Sequence, residues 1–123
     1  MKRWVRNLLL VHGVLTGAAG VVLIVFPAAI PSTVGIALDR GAYLLCWLLA
    51  GMELGAAWLS LQARKLSDTA ALRAIFASFI VLHASTALLE VWAIAQGGSP
   101  MLWPNVALRA GVTAAFVLAS RSV

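Results

Sequence analysis

Four runs of about twenty apolar residues fill nearly all of this 123-residue chain. A hydrocarbon core of ~30 Å needs about 20 helical residues at 1.5 Å each, so runs of this length read as membrane spans. They lie at Leu8–Ile30, Ala42–Leu61, Thr69–Ala95 and Pro104–Leu118. With 63% hydrophobic residues, 11% charged and a mean hydropathy of +1.00, the chain is far more apolar than a soluble domain, where about 45–50% apolar is usual. The expected fold is therefore all-α: a polytopic membrane protein whose residues 1–123 form one transmembrane domain of four helices. Short connections make successive helices antiparallel neighbours, which predicts an up-down-up-down bundle. So little chain lies outside the spans that a soluble catalytic domain is not expected.

The placement of charge orients the spans. Of nine basic residues, Lys2, Arg3, Arg6, Arg64, Lys65, Arg73 and Arg121 fall on one side, and only Arg40 and Arg109 lie towards the other. By the positive-inside bias both termini are expected to be cytoplasmic. The net charge of +5 is thus accounted for by lipid headgroups, and no nucleic-acid partner is expected. Met1-Lys2-Arg3 before an apolar run has the look of a signal peptide, but the run is long for one and a retained first helix is expected. The tryptophans agree with the layout: Trp4 and Trp58 fall near the cytoplasmic boundary, and Trp47, Trp92 and Trp103 near the outer one, where indoles favour the interface.

Breakers divide the chain. Pro27 stands near the outer end of the first span, and Pro31 is expected to stop it. Ser67, Asp68 or Thr69 can cap the third span. Gln96-Gly97-Gly98-Ser99-Pro100 is a turn, and Pro104 suits the first turn of the fourth span.

Each span carries a thin polar stripe at helical spacing. The first has His12 and Thr16; the second Cys46, Glu53 and Ser60; the third His83, Thr86 and Glu90; the fourth Asn105, Arg109, Thr113 and Ser120. A charge facing lipid near mid-bilayer costs about 2.5–3.5 kcal/mol or more, so the stripes are expected to face inward. Counting depth from the span ends puts Glu53 and His83 near the midplane and Glu90 and Arg109 together at a shallower level. Two pairings follow. Glu90–Arg109 reads as a structural ion pair, because arginine keeps its charge and needs a carboxylate or water. Glu53–His83, with Thr86 and Thr113 beside it, reads as a candidate ligand or proton site.

Gly13–Gly17 and Gly51–Gly55 match the small-xxx-small pattern of close helix packing. Gly51 and Gly55 lie about 160–200° around the helix from Glu53. With Glu53 inward, that glycine face points outward, towards a second copy or a larger membrane complex.

Other chemistries lack their residues. Cys46 is the single cysteine, which excludes an internal disulfide and a cysteine metal cluster. No zinc spacing, P-loop, GxGxxG or nucleophile elbow is present. A haem held by His12 and His83 is disfavoured, because the two differ in depth by roughly 12 Å. No cofactor and no metal are expected.

One resemblance covers most of the chain. Gly17–Gly20 leads to Phe26-Pro27, Gly51-Met52-Glu53-Leu54-Gly55 runs into Gln62-Ala63-Arg64, His83 stands in the third span, Trp92 precedes Gly97, and Trp103-Pro104-Asn105 opens the fourth. The arrangement resembles the DoxX-like group of small four-helix bacterial membrane proteins. That resemblance implies an inner-membrane bundle, and in the wider group the proposed roles run to redox-associated accessory subunits. The leading expectation is a non-enzymatic membrane protein that binds lipid or a small apolar or amphipathic ligand, or serves as an accessory subunit. A proton-coupled small-molecule transporter using Glu53 and His83 is the alternative, and a membrane enzyme acting on a lipid or quinone stands third.

Overall fold

The computed structural model describes residues Met1–Val123. The chain is all-helical, and four of its helices are long and apolar enough to cross a membrane. These are α1 (Arg3–Val25), α3 (Tyr43–Ala63), α4 (Thr69–Ala95) and α5 (Trp103–Ser120); α2 (Ala29–Thr33) is a short helix between the first two. Single 3-10 turns at Arg40–Ala42 and Pro100–Leu102 lead into α3 and α5.

Polarity is inverted relative to a soluble protein. Only 17–33% of each membrane-length segment is buried inside the chain, and leucines such as Leu45, Leu88 and Leu89 are exposed, whereas Ser60, His12 and His83 are buried. In water such a surface would favour aggregation; in hydrocarbon it costs nothing, and the polar groups are the ones that need shelter. Four helices of this length and apolarity fit a membrane protein.

The helix boundaries follow local chemistry. α4 spans Thr69–Ala95 as expected. Its cap is Asp68, whose carboxylate accepts from the backbone N–H groups of Ala70 at 2.8 Å and Ala71 at 3.3 Å. It ends in a Schellman turn: Gly98 N–H donates to Ala93 O, Gly97 N–H donates to Ile94 O, and Gly97 takes φ of 91°, a conformation that a Cβ would oppose. Ser99 then caps the next turn by accepting from Met101 N–H.

The first helix corrects the expected Leu8–Ile30 span: it starts at Arg3 and ends at Val25. The amino-terminal difference arises because the apolar run reports hydrocarbon thickness, while helical hydrogen bonding continues outward through side chains suited to the interface. At the other end Pro27 has no N–H for the Leu23 carbonyl, and its ring drives Phe26 out of helical geometry. Pro31 therefore does not stop α1. It lies in α2, which closes on Gly35 at φ 75°.

The chain divides into two compact units, Leu9–Arg64 and Met1–Leu8 with Lys65–Val123. In the first, α1 packs against α3 through small residues. A Cβ on Gly13 would stand 2.9 Å from the Leu61 side chain and 3.2 Å from Ala57 O; one on Gly20 would stand 3.0 Å from Leu54 and 3.3 Å from Ala50 O. Gly13, Gly17 and Gly20 thus let α1 approach the Ala50–Ala57 face of α3, where packing and short polar contacts stabilise helix pairs in lipid. Leu23, Cys46 and Ala50 form a buried cluster with Leu38 beside them.

In the second unit α4 and α5 run antiparallel across the Gln96–Pro100 connection. At one end Arg73 Nη2 donates to Val123 O at 2.9 Å. Above it Phe116 meets Phe76 and Phe79, with ring centroids 5.8 and 5.0 Å apart, pairs that contribute about 0.5–1.5 kcal/mol each beyond their burial. The polar residues collect at the opposite end.

Candidate polar site between α4 and α5

Glu90 lies five positions before the end of α4, and Asn105 and Arg109 stand four apart near the start of α5. Helical spacing puts the last two on one face, so the face that reaches Glu90 brings both. Asn105 Nδ2 donates to Glu90 Oε1 at 2.5 Å. Arg109 Nε lies 3.7 Å from the same oxygen. Arg109 Nη1 reaches His83 Nδ1 at 3.3 Å, two turns further into α4. The His83 ring then stacks almost parallel on Phe116, at 8° and 6.5 Å, which joins the polar layer to the aromatic one.

Atom by atom, this cluster is lopsided. Both of the neighbours described crowd Glu90 Oε1, while buried Oε2 has no hydrogen-bond partner, and neither has buried Arg109 Nε. Other atoms of the two side chains leave them 15% and 20% exposed, so the cluster is sheltered while these two atoms are themselves buried. Buried polar atoms are seldom left unpaired. An unpaired acceptor beside an unpaired donor is therefore the chemically distinctive feature here.

The contacts also assign the histidine. Guanidinium only donates, so His83 Nδ1 must accept, and the ring proton sits on Nε2. Against Arg109 the ring is a neutral acceptor, and the charges that α4 and α5 themselves bring together here are the Glu90 carboxylate and the Arg109 guanidinium.

The pairing expected from depth, Glu90 with Arg109, is present as an ion pair. Sequence reasoning missed the Asn105–Glu90 bond and the Arg109–His83 contact, although the four-residue spacing of Asn105 and Arg109 was an available signal. Thr86 and Thr113 donate to carbonyls of their own helices, Leu82 O at 2.7 Å and Arg109 O at 2.8 Å. Glu53 stands half-buried at the middle of α3, on the face shared by Cys46, Ala50, Ala57 and Ser60. It belongs to the first unit and His83 to the second; the neighbour that the second unit itself supplies to His83 is Arg109.

The first unit holds a polar contact that sequence reasoning also missed. His12 Nδ1 lies 3.0 Å from Ser60 Oγ, and the Ser60 hydroxyl donates to Leu9 O at 3.0 Å. Both residues stand towards the cytoplasmic ends of their expected spans, which was the signal available. The two glycine motifs separate: Gly13 and Gly17 pack within the chain, whereas a Cβ on Gly51 or Gly55 would touch nothing within 4 Å. All five tryptophans are exposed.

These features define an all-helical protein with four membrane-length helices and a sheltered polar cluster built around a Glu90–Arg109 ion pair. No protein-family model, curated protein or solved structure matches the chain.

Proposed function

We propose that this chain is a small inner-membrane protein that binds an amphipathic ligand through the Glu90–Asn105–Arg109–His83 cluster, with an accessory role in a membrane complex. The observation that carries this reading is the adjacent pair of unpaired buried atoms, Glu90 Oε2 and Arg109 Nε. In a membrane-length segment such groups need an additional polar partner. Only about six positions separate them from the helix ends, within roughly 9 Å along the axis, a depth that an amphiphile's headgroup can reach.

The basic bias of the connections supports cytoplasmic termini. The open Gly51–Gly55 face supports association with a second copy or another subunit, since small residues let helices approach closely. Ligand binding and transport differ in their needs. Binding at this cluster requires no gradient.

Native mass spectrometry from gentle detergent tests the proposal. The wild-type chain should retain a small-molecule adduct, and the double substitution Glu90→Gln with Arg109→Gln should lose it while the helical circular-dichroism spectrum persists. A wild-type spectrum showing bare protein, with added amphiphiles also failing to bind, would overturn it.

A further inference from the structure

The arrangement of the unpaired atoms narrows the ligand. Glu90 Oε2 can only accept from a ligand donor, and Arg109 Nε–H can only donate to a ligand acceptor. The carboxylate and the guanidinium balance each other, Asn105 is neutral, and the Arg109 contact holds His83 neutral. A net charge on the ligand would therefore find one favourable and one repulsive neighbour in this ion pair. An anion satisfies Nε–H but confronts Oε2; a cation satisfies Oε2 but confronts the guanidinium. In these sheltered surroundings either imbalance costs more than it would in water.

We infer that the α4–α5 cluster selects a neutral amphiphile whose headgroup presents a hydrogen-bond donor and acceptor side by side, a hydroxyl or a primary amide. The inference deepens the binding reading above and rests on it. The rest of such a molecule would lie against the apolar outer surface of the helices, where leucines such as Leu89 and Leu108 are exposed. A hydroxyl donating to Oε2 and accepting from Nε–H would complete both atoms without adding charge.

Three probes with one sixteen-carbon chain and different headgroups give the test: monopalmitoylglycerol, palmitate and hexadecylamine. They are offered at equal concentration to the intact protein in detergent and scored by native mass spectrometry. Monopalmitoylglycerol should be retained at least tenfold more than either charged probe, and hexadecanamide should displace it. Glu90→Gln should move the preference to palmitate, and Arg109→Gln should move it to hexadecylamine. If the wild-type protein instead prefers a charged probe, or does not discriminate, the selectivity inference falls while ligand binding stands. If none of the probes binds, both fall, and the cluster is a hydrated structural ion pair. The wild-type comparison needs no substitution, so a variant that fails to fold leaves the test intact.

Discussion

The Nδ1 atoms of His12 and His83 play opposite roles, donor in His12 and acceptor in His83. Ser60 has one hydroxyl proton and gives it to Leu9 O, so the His12 Nδ1 that lies 3.0 Å from Ser60 Oγ must be the donor. Arg109 can only donate, so His83 Nδ1 must be the acceptor. One imidazole is fixed by a hydroxyl on a neighbouring helix and the other by a guanidinium. Each assignment follows from a partner that has a single role available.

Nitrogen-15 spectra of histidine-labelled protein check this directly. His83 should give the Nε2–H tautomer and His12 a protonated Nδ1. Arg109→Gln should release the His83 preference and leave His12 unchanged. A protonated Nδ1 on His83 in the wild-type protein would refute the Arg109 contact.

Glu90 and Arg109 should be energetically coupled. Replacing either by glutamine leaves its partner without a counter-charge in a sheltered site, while replacing both restores neutrality. Because both side chains are partly exposed, each single substitution should cost about 1–3 kcal/mol, below the range for fully buried pairs. The double variant should cost less than the sum of the singles, as unfolding in mixed micelles would measure. Simple additivity would show that the pair does not interact.

The glycines should respond unequally. Gly13→Ala puts a methyl group 2.9 Å from Leu61 and 3.2 Å from Ala57 O, an overpacking that costs about 1–3 kcal/mol. Gly51→Ala meets open space and should be neutral or stabilising by up to ~1 kcal/mol in the isolated chain, through helix propensity. If the Gly51 face holds a second copy, Gly51→Leu should reduce crosslinked dimer while leaving monomer unfolding unaffected. Equal destabilisation by Gly13→Ala and Gly51→Ala would contradict the packing of α1 on α3.

Gly97→Ala should cost about 1–2 kcal/mol, because its φ of 91° suits glycine and opposes a Cβ. The same change at Gly111, within α5 and with open space around its Cβ, should not destabilise. Thermal unfolding of the two variants in one detergent makes the comparison.

Orientation is testable in a Cys46→Ala background. A cysteine at Ser122 should react with a membrane-impermeant thiol reagent only after cells are opened, and one at Ser99 before. The reverse pattern would overturn the cytoplasmic placement of the termini.

The membrane-length helices, a cap among Ser67, Asp68 and Thr69, the Gly97 turn and the shared level of Glu90 and Arg109 were all legible in the residues, because each depends on local chemistry or on distance along one helix. The extent of α1 was legible only in part. Hydropathy locates the hydrocarbon, whereas helical hydrogen bonding carries on to Arg3 and Pro27 ends the helix at Val25. Tertiary structure decided what no stripe states: which rotation of α4 faces α5, and therefore that Arg109 reaches both Glu90 and His83. It also separated Gly13 and Gly17, packed on α3, from Gly51 and Gly55, which touch nothing in the chain. Spacing along a helix determines which residues share a face, but the partner of that face is set by packing between helices, and only there do Glu90 Oε2 and Arg109 Nε become a matched pair of unpaired atoms.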